Sequence, residues 1–368
     1  TTYLNDEDVM PTTGADNGLT LADMRDADYD DPRWEELLDQ LSVDEMANMI
    51  AMAGYQTAAM DSVGKVATLD FDGPAAINNN FTGVGSIGFP IEVVIASTWN
   101  KELAQTWGEC MGKISQEMGA EGWYAPGMNT HRTAFGARNY EYFSEDAVLT
   151  AGQGAAIIKA GHDYGVLIAP KHLAFNDTEI NRTGIAEFMT EQAARENELR
   201  GTQSCIEDAN ALAVMTTYNR VGCVTSNAHT GLLLNILHKE WGFKGLMSED
   251  FIQDPAYTKI HMAVHNGVTM TCNTGDNTMA AVEAVWPYWS VENASQSEEL
   301  LTDLKQAMLY QNYALANSNA MDGMSTSTHI EKLNTWYDNL ITGLRIGFGV
   351  LTVLCAAMYL LGLKKKEQ

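Results

Sequence analysis

Five short polar motifs stand at or just past short apolar runs. They are Asp72-Gly73-Pro74, Gly136-Ala137-Arg138-Asn139-Tyr140-Glu141, Lys171-His172, Met215-Thr216-Thr217-Tyr218-Asn219 and Ser248-Glu249-Asp250-Phe251. Asp250 follows the stretch Gly245-Leu246-Met247-Ser248. A carboxylate at such a strand end can serve as nucleophile, general base, metal ligand or helix cap. Glu249 points to the opposite face if the segment is extended. Lys171 and His172 close the run from Gly165 to Pro170, and two donors there suit a polyhydroxylated or anionic ligand. A Schiff-base lysine is a rival use of Lys171. Asp72 leads a Gly-Pro turn and is equally a turn cap. Arg138 lies in a segment dense in polar and aromatic residues, just after Asn129 and His131, and could hold a carboxylate or donate to ligand hydroxyls. Tyr218 could orient a carboxylate with its hydroxyl.

The elements that must position these residues follow from the intervals. Asp72, Arg138, Lys171, Tyr218 and Asp250 are separated by about 66, 33, 47 and 32 residues, against about 31 residues per unit in a (β/α)₈ barrel of ~250. Polar residues at strand ends with that period converge on one face of a barrel. Expected strands are Val63–Leu69, Gly122–Ala125, Gly165–Ala169, Leu212–Thr216, Gly245–Ser248 and Gly267–Thr271. Expected helices are Lys101–Glu117, Ala147–His162, Glu191–Asp208, Thr230–Glu240 and Met279–Trp286. Short apolar strands without alternation, separated by helices, predict an α/β fold with a parallel sheet covered on both faces. Ahead of them, Asp31-Pro32 and Ser42-Val43-Asp44-Glu45 read as helix starts. The organisation expected is an acidic linker or arm over residues 1–30, a barrel domain over 31–312, a connecting helix over 313–339 and a transmembrane helix with a basic tail over 340–368.

Composition narrows the function. A net charge of −26 argues against nucleic-acid binding, which needs a basic surface. The five cysteines show no CxxC, HExxH is absent, and Gly83-Val84-Gly85-Ser86-Ile87-Gly88 is not followed by a helix pattern. No disulfide framework, metal set or phosphate loop is therefore expected. From Ile346 to Leu363 the chain is uncharged and apolar, and Lys364-Lys365-Lys366 follow. A run of about 18 apolar residues approaches a bilayer crossing. The lysines would stay cytoplasmic and place the large domain outside a cell membrane crossed once.

The blocks GWYAPGMNTHRTAFGARNYEYFSED (122–146), PKHLAFND (170–177), AVMTTYN (213–219) and EWGFKGLMSEDF (240–251) resemble family 3 glycoside hydrolases of the β-glucosidase type, over roughly Asp31 to Asn312. The resemblance implies a (β/α)₈ barrel acting on terminal β-linked glucosides or xylosides, with Asp250 as nucleophile and no cofactor. It implies that Asp72, Arg138, Lys171 and His172 bind sugar hydroxyls, that Tyr218 lies near the nucleophile and that Met215 lines the same pocket. Lys171 and Arg138 would keep Asp250 ionised by proximity. Two departures stand out. The family usually has Ser before the nucleophile and Trp after it, where this chain has Glu249 and Phe251. The family's acid/base comes from a second α/β sandwich domain, for which this chain has no room; single-domain relatives use a His-Asp pair on the loop after Lys-His, where Asn176-Asp177-Thr178-Glu179 lacks a His. The acid/base stays unassigned, and an upstream or partner domain is the expected source. The start at Thr1 and the acidic arm fit a barrel half from a domain-permuted member. A sugar-binding or scaffold barrel without catalysis, anchored in the membrane, is the alternative.

Overall fold

Six short strands, each parallel to its neighbour in sequence, organise the larger of two compact units. The computed structural model describes residues 9–51, 54–252, 257–273, 290–328 and 335–366, and contacts divide the chain into residues 1–328 and 329–368. The strands are β1 (Thr68–Asp72), β2 (Gly122–Tyr124), β3 (Leu167–Ile168), β4 (Ala213–Met215), β5 (Leu246–Ile252) and β6 (Met270–Asn273). Asp72 pairs with Tyr124, Trp123 with Ile168, Leu246 with Ala213 and Ser248 with Met270. A parallel bridge between Leu173 and Thr216 links the β1–β3 group to the β4–β6 group. Parallel neighbours require crossover connections, and helices supply them: α3 (Lys101–Met118), α4 (Ala147–His162), α5 (Arg200–Glu207), α6 (Gly231–Glu240, π-type) and α7 (Ile260–His265). The fold is α/β.

Side chains alternate between two cores. Trp123, Ile168, Val214 and Met247 face the crossover helices, while Tyr124, Leu167, Ala213, Met215, Leu246 and Met270 face a second cluster. That second cluster is completed by α1 (Arg33–Asp39), α2 (Val43–Ala51) and α8 (Glu298–Ala316). Ser42 and Glu45 form the expected capping pair at the start of α2, with Ser42 N donating to Glu45 at 3.0 Å and Glu45 N donating to Ser42 Oγ at 3.2 Å. Asn100 and Asp146 cap α3 and α4 with their side chains. These two helices approach so closely that a Cβ on Gly108 would overlap the Ile157 carbonyl oxygen.

The end of α2 and the short strand that follows reach the two ends of the strand series. Ile50 O accepts from Thr271 Oγ1 of β6 at 2.8 Å, and Gln56–Thr57 pairs antiparallel with β1.

Several elements differ from the sequence expectation for identifiable reasons. β1 begins at Thr68 instead of Val63, because Asp61–Val63 is a 3₁₀ turn closed by Gly64 at φ 64°. The turn buries Lys65, whose ammonium donates to Thr57 Oγ1 and Val66 O at 2.8 Å each. The helix expected over Glu191–Asp208 is interrupted by a π-turn at Ala194–Glu198. α8 ends at Ala316 and is followed by a 3₁₀ turn at Asn319–Met321, not by a continuous connecting helix. The expected helix Met279–Trp286 lies outside the described residues. The acidic N-terminal segment packs on the domain, because Leu21 and Met24 are fully buried in the second core. Gly14 N also donates to Leu41 O, and Arg25 donates to Met324 O.

In the smaller unit, α9 (Trp336–Lys366) starts at Thr335, whose hydroxyl and N–H both donate to Asp338. Its portion Trp336–Gly362 is long and apolar enough to cross a membrane, and none of it is buried within the protein.

Replacing Leu21 by Ala should lower the stability of the larger unit by about 2–4 kcal/mol through an unfilled core cavity. Urea denaturation measures this, and a change under ~0.5 kcal/mol would mean that the acidic segment is not part of the core.

Candidate active site

The strand ends deliver their side chains to one cavity of about 90 Å³. Its polar wall is Asp72, Arg138, Lys171, His172, Arg182 and Asp250, and its apolar wall is Tyr55, Tyr124, Met215, Phe251 and Cys272. Six of the seven residues singled out from the sequence therefore meet there. The seventh, Tyr218, is buried beside it, with the Arg182 guanidinium 4.3 Å over its ring.

A buried charge network forms one side. Glu141 is bracketed by Arg138, whose Nε and one terminal nitrogen each donate at 2.7 Å. Lys171 Nζ approaches the same carboxylate at 3.1 Å and donates to Asp72 Oδ1 at 2.7 Å. Tyr55 OH donates to the other Asp72 oxygen at 3.1 Å. Burial alone would raise the Glu141 carboxyl, but the Lys171 charge and the Arg138 fork outweigh it and hold it at about 2. Burial would lower Lys171, but Asp72 and Glu141 raise it overall, so the ammonium stays charged.

Asp250 owes its orientation to an irregularity in β5. Ser248 pairs with Met270 and Phe251 with Cys272, so β5 spends one more residue than β6 over this stretch. Such a bulge turns a side chain out of the simple alternation. Asp250 Oδ1 accepts from the Phe251 N–H at 2.9 Å. Its Oδ2 has no hydrogen-bond partner and lies 3.7 Å from His172 Nε2 and 3.6 Å from an Arg182 terminal nitrogen. Burial raises the Asp250 carboxyl above its ordinary value, and Arg182 offsets part of that rise. His172 is held well below its ordinary value by burial first, then by Arg138, Lys171 and Arg182, and is therefore a neutral ring. The Lys171-His172 peptide is cis, and Asn129 brackets the His172 main chain, accepting from its N–H at 2.8 Å and donating to its carbonyl at 2.9 Å.

Arg182 is the cation nearest Asp250, while Lys171 and Arg138, whose hydrogen bonds go to Asp72, Glu141 and Glu179, act on Asp250 through their charge, as expected, and each lowers its carboxyl less than Arg182 does. Glu249 adds no negative charge to the cavity. It faces Asn227, which donates to it at 2.7 Å, and burial with the neighbouring Asp250 charge pushes its carboxyl well above the usual range. Asp177 points away from the cavity to Arg132, 2.5 Å from its Oδ2. Glu179 pairs with Arg182 at 3.2 Å and with Arg138 at 3.4 Å.

Sequence reasoning missed Glu141 and Arg182. Glu141 closes the motif that begins at Gly136, three residues after Arg138, and that spacing was the available signal. Arg182 lies in an irregular loop, where no periodicity marks it. Among the described residues, His265, Glu299 and Asp303 bring donor atoms close enough to share an ion, but none of them lines the cavity.

Residues 52–324 match the glycosyl hydrolase family 3 N-terminal domain. The chain belongs to that family. It is 30% identical over 221 residues to a beta-glucosidase of Rhizobium radiobacter, a match covering 59% of this chain and 27% of that protein. It is 34% identical over 220 residues to beta-glucosidase B of Emericella nidulans, covering 59% and 26%. Among solved structures it resembles beta-glucosidase 3B from Thermotoga neapolitana in complex with glucose, with a TM-score of 0.67, 27% identity and coverage of 78% of this chain and 43% of that one. This family 3 chain thus spans about a quarter of the length of the curated relatives just given.

Glu141→Gln should destabilise the protein by about 3 kcal/mol at pH 7, because it leaves two buried cations short of a counter-charge. A depressed carboxyl contributes stability above its ordinary value near 4.5 and loses it as pH falls toward about 2. The gap between wild type and variant should therefore narrow below pH ~4.5 in urea titrations, and a constant gap would show that the Glu141 charge is not the stabilising element.

Proposed function

We propose that this chain is the nucleophile-bearing part of a retaining β-glycosidase acting on terminal β-linked glucosides or xylosides. The observation that carries the reading is the unpartnered Asp250 Oδ2, which faces a cavity shared with Asp72, Arg138, Lys171 and His172. An oxygen free of hydrogen bonds beside a neutral imidazole is available to attack an anomeric carbon. The Asp72 and Lys171 pair presents an acceptor and a donor to ring hydroxyls, and the Arg138–Glu141 fork keeps that pair rigid. Met215 packs the apolar face of the ring and Tyr218 supports Arg182.

A retaining reaction needs a second carboxyl about 5–5.5 Å from the nucleophile, first as acid and then as base. The lining carboxyls are Asp72, committed to Lys171, and Asp250 itself. The proton donor is therefore assigned to a second domain, upstream or on a partner, in keeping with the greater length of the relatives. The same shortage supports the second reading, a sugar-binding subunit without catalysis. The consecutive parallel strands, with Ile50 touching β6 and Gln56–Thr57 touching β1, support a closed (β/α)₈-type barrel. We further read α9 as a single membrane crossing, with the larger unit outside and the terminal lysines in the cytoplasm.

Incubation with a 2-deoxy-2-fluoro glucosyl fluoride should place one covalent sugar on Asp250, identified by peptide mapping, and Asp250→Asn should abolish it. Binding of the sugar without label would favour the non-catalytic reading. Removal of residues 335–368 should release the protein from lipid vesicles, and retained vesicle binding would overturn the anchor.

A further inference from the structure

The loop after the Lys171-His172 strand end has two sides. One side turns Asn176, Glu179 and Arg182 toward the cavity: Asn176 donates to Tyr142 OH at 3.0 Å and to Glu179 Oε1 at 3.1 Å, and Arg182 stands beside Asp250. The other side turns Asp177 and Glu187 away, onto Arg132, at 2.5 and 3.1 Å. Glu198 closes this second cluster. It is the last residue of the π-turn Ala194–Glu198, and its Oε1 accepts from the Thr130 hydroxyl at 2.6 Å. Inserted π-turns often mark functional positions. Two carboxyls thus share the Arg132 guanidinium and a third lies near enough to feel their charges, with Asp177, Glu187 and Glu198 only 2%, 6% and 5% exposed. Asp177 Oδ1 and Glu198 Oε2 have no hydrogen-bond partner.

We propose that Arg132, Asp177, Glu187 and Glu198 form a proton-binding latch that positions the Asn176–Arg182 loop against the cavity, closed when the cluster holds protons and loosened when all three carboxyls ionise. Charge balance drives it: one half-exposed cation cannot compensate three buried anions, and each proton held on a carboxyl removes part of the excess. Burial, with Glu187 adding, pushes Asp177 up to about 6. Burial pushes Glu198 up to about 7, with Asp177 and Glu187 adding while the Thr130 hydrogen bond and Arg132 oppose. Both lie above their ordinary values of 3.8 and 4.5, so the closed loop binds protons more tightly than an open one. The latch contributes its full stability below those ordinary values and loses it as pH rises through 6 and then 7. These four are positioning residues, and none of them lines the cavity. Only the consequence for catalysis rests on the assignment of Asp250 as nucleophile.

Amide hydrogen exchange of the full chain from pH 5 to 8.5, corrected for intrinsic rates, tests the latch. Protection in peptides covering 176–188 should fall by up to about tenfold per pH unit for each proton that the closed loop holds and the open one lacks, most steeply from pH 5 to 6 and levelling off above pH 7, while α3 and α4 stay flat. Glu198→Gln keeps the Arg132 pairs and should flatten the profile, and Asp177→Asn should remove the lower-pH portion. A wild-type profile without slope, or variants that follow the wild type, would overturn the proposal. The rate of fluoro-sugar labelling should decline over the same window in wild type and less so in Glu198→Gln. Absence of labelling at every pH, with the exchange result intact, would reject the nucleophile assignment and leave the latch standing.

Discussion

A carboxylate that cannot reach water governs this molecule. Glu141 is buried, and its charge persists because the buried Lys171 and the partly buried Arg138 lie against it. Each member would be costly alone. Together they fix three separate pieces of chain: the loop after β2, the end of β3 and, through Lys171, the Asp72 carboxylate at the end of β1. The cavity has its shape because these charges have nowhere else to go. The strands supply direction, but their short parallel pairing would leave the side chains at their ends free to choose other rotamers.

Around Asp250 the structure sorts its ionisable groups by burial. His172 is neutral, Glu249 is pushed toward its neutral acid and the Arg182 guanidinium lies over the Tyr218 ring. The result is a carboxyl with one free oxygen facing the cavity, with Arg182 the nearest cation and Arg138 and Lys171 engaged with other carboxylates of the wall. A hydrogen-bonded Asp72 on the opposite wall differs from it in kind: both of its oxygens are already engaged, by Lys171 and Tyr55.

Much of this was legible in the sequence because it depends on local rules. The α/β alternation follows from short apolar runs between helical stretches, and α4 runs from Ala147 to His162 as its cap and period indicate. The convergence of Asp72, Lys171, His172, Met215 and Asp250 follows from their place at or just past strand ends, and Arg138 joins them from the loop after β2. What the sequence hides is long-range. Nothing local tells that Arg138 belongs to Glu141 and Glu179, or that Arg182 takes the place beside Asp250. The late start of β1 goes with a lysine turned inward, and the break at Ala194–Glu198 sets Glu198 against Thr130, far away in sequence. Burial of Leu21 and Met24 is likewise invisible in a segment dominated by acids.

The extra residue in β5 has an evolutionary corollary. Two adjacent acids occupy opposite faces there, and only the residue count ahead of them decides which one meets the cavity. An insertion or deletion of one codon between Leu246 and Glu249 would exchange their places, presenting the longer Glu249 to the ligand and sending Asp250 into the protein interior. The register of this strand therefore constrains the site more strictly than the identity of the residues beside Asp250 does.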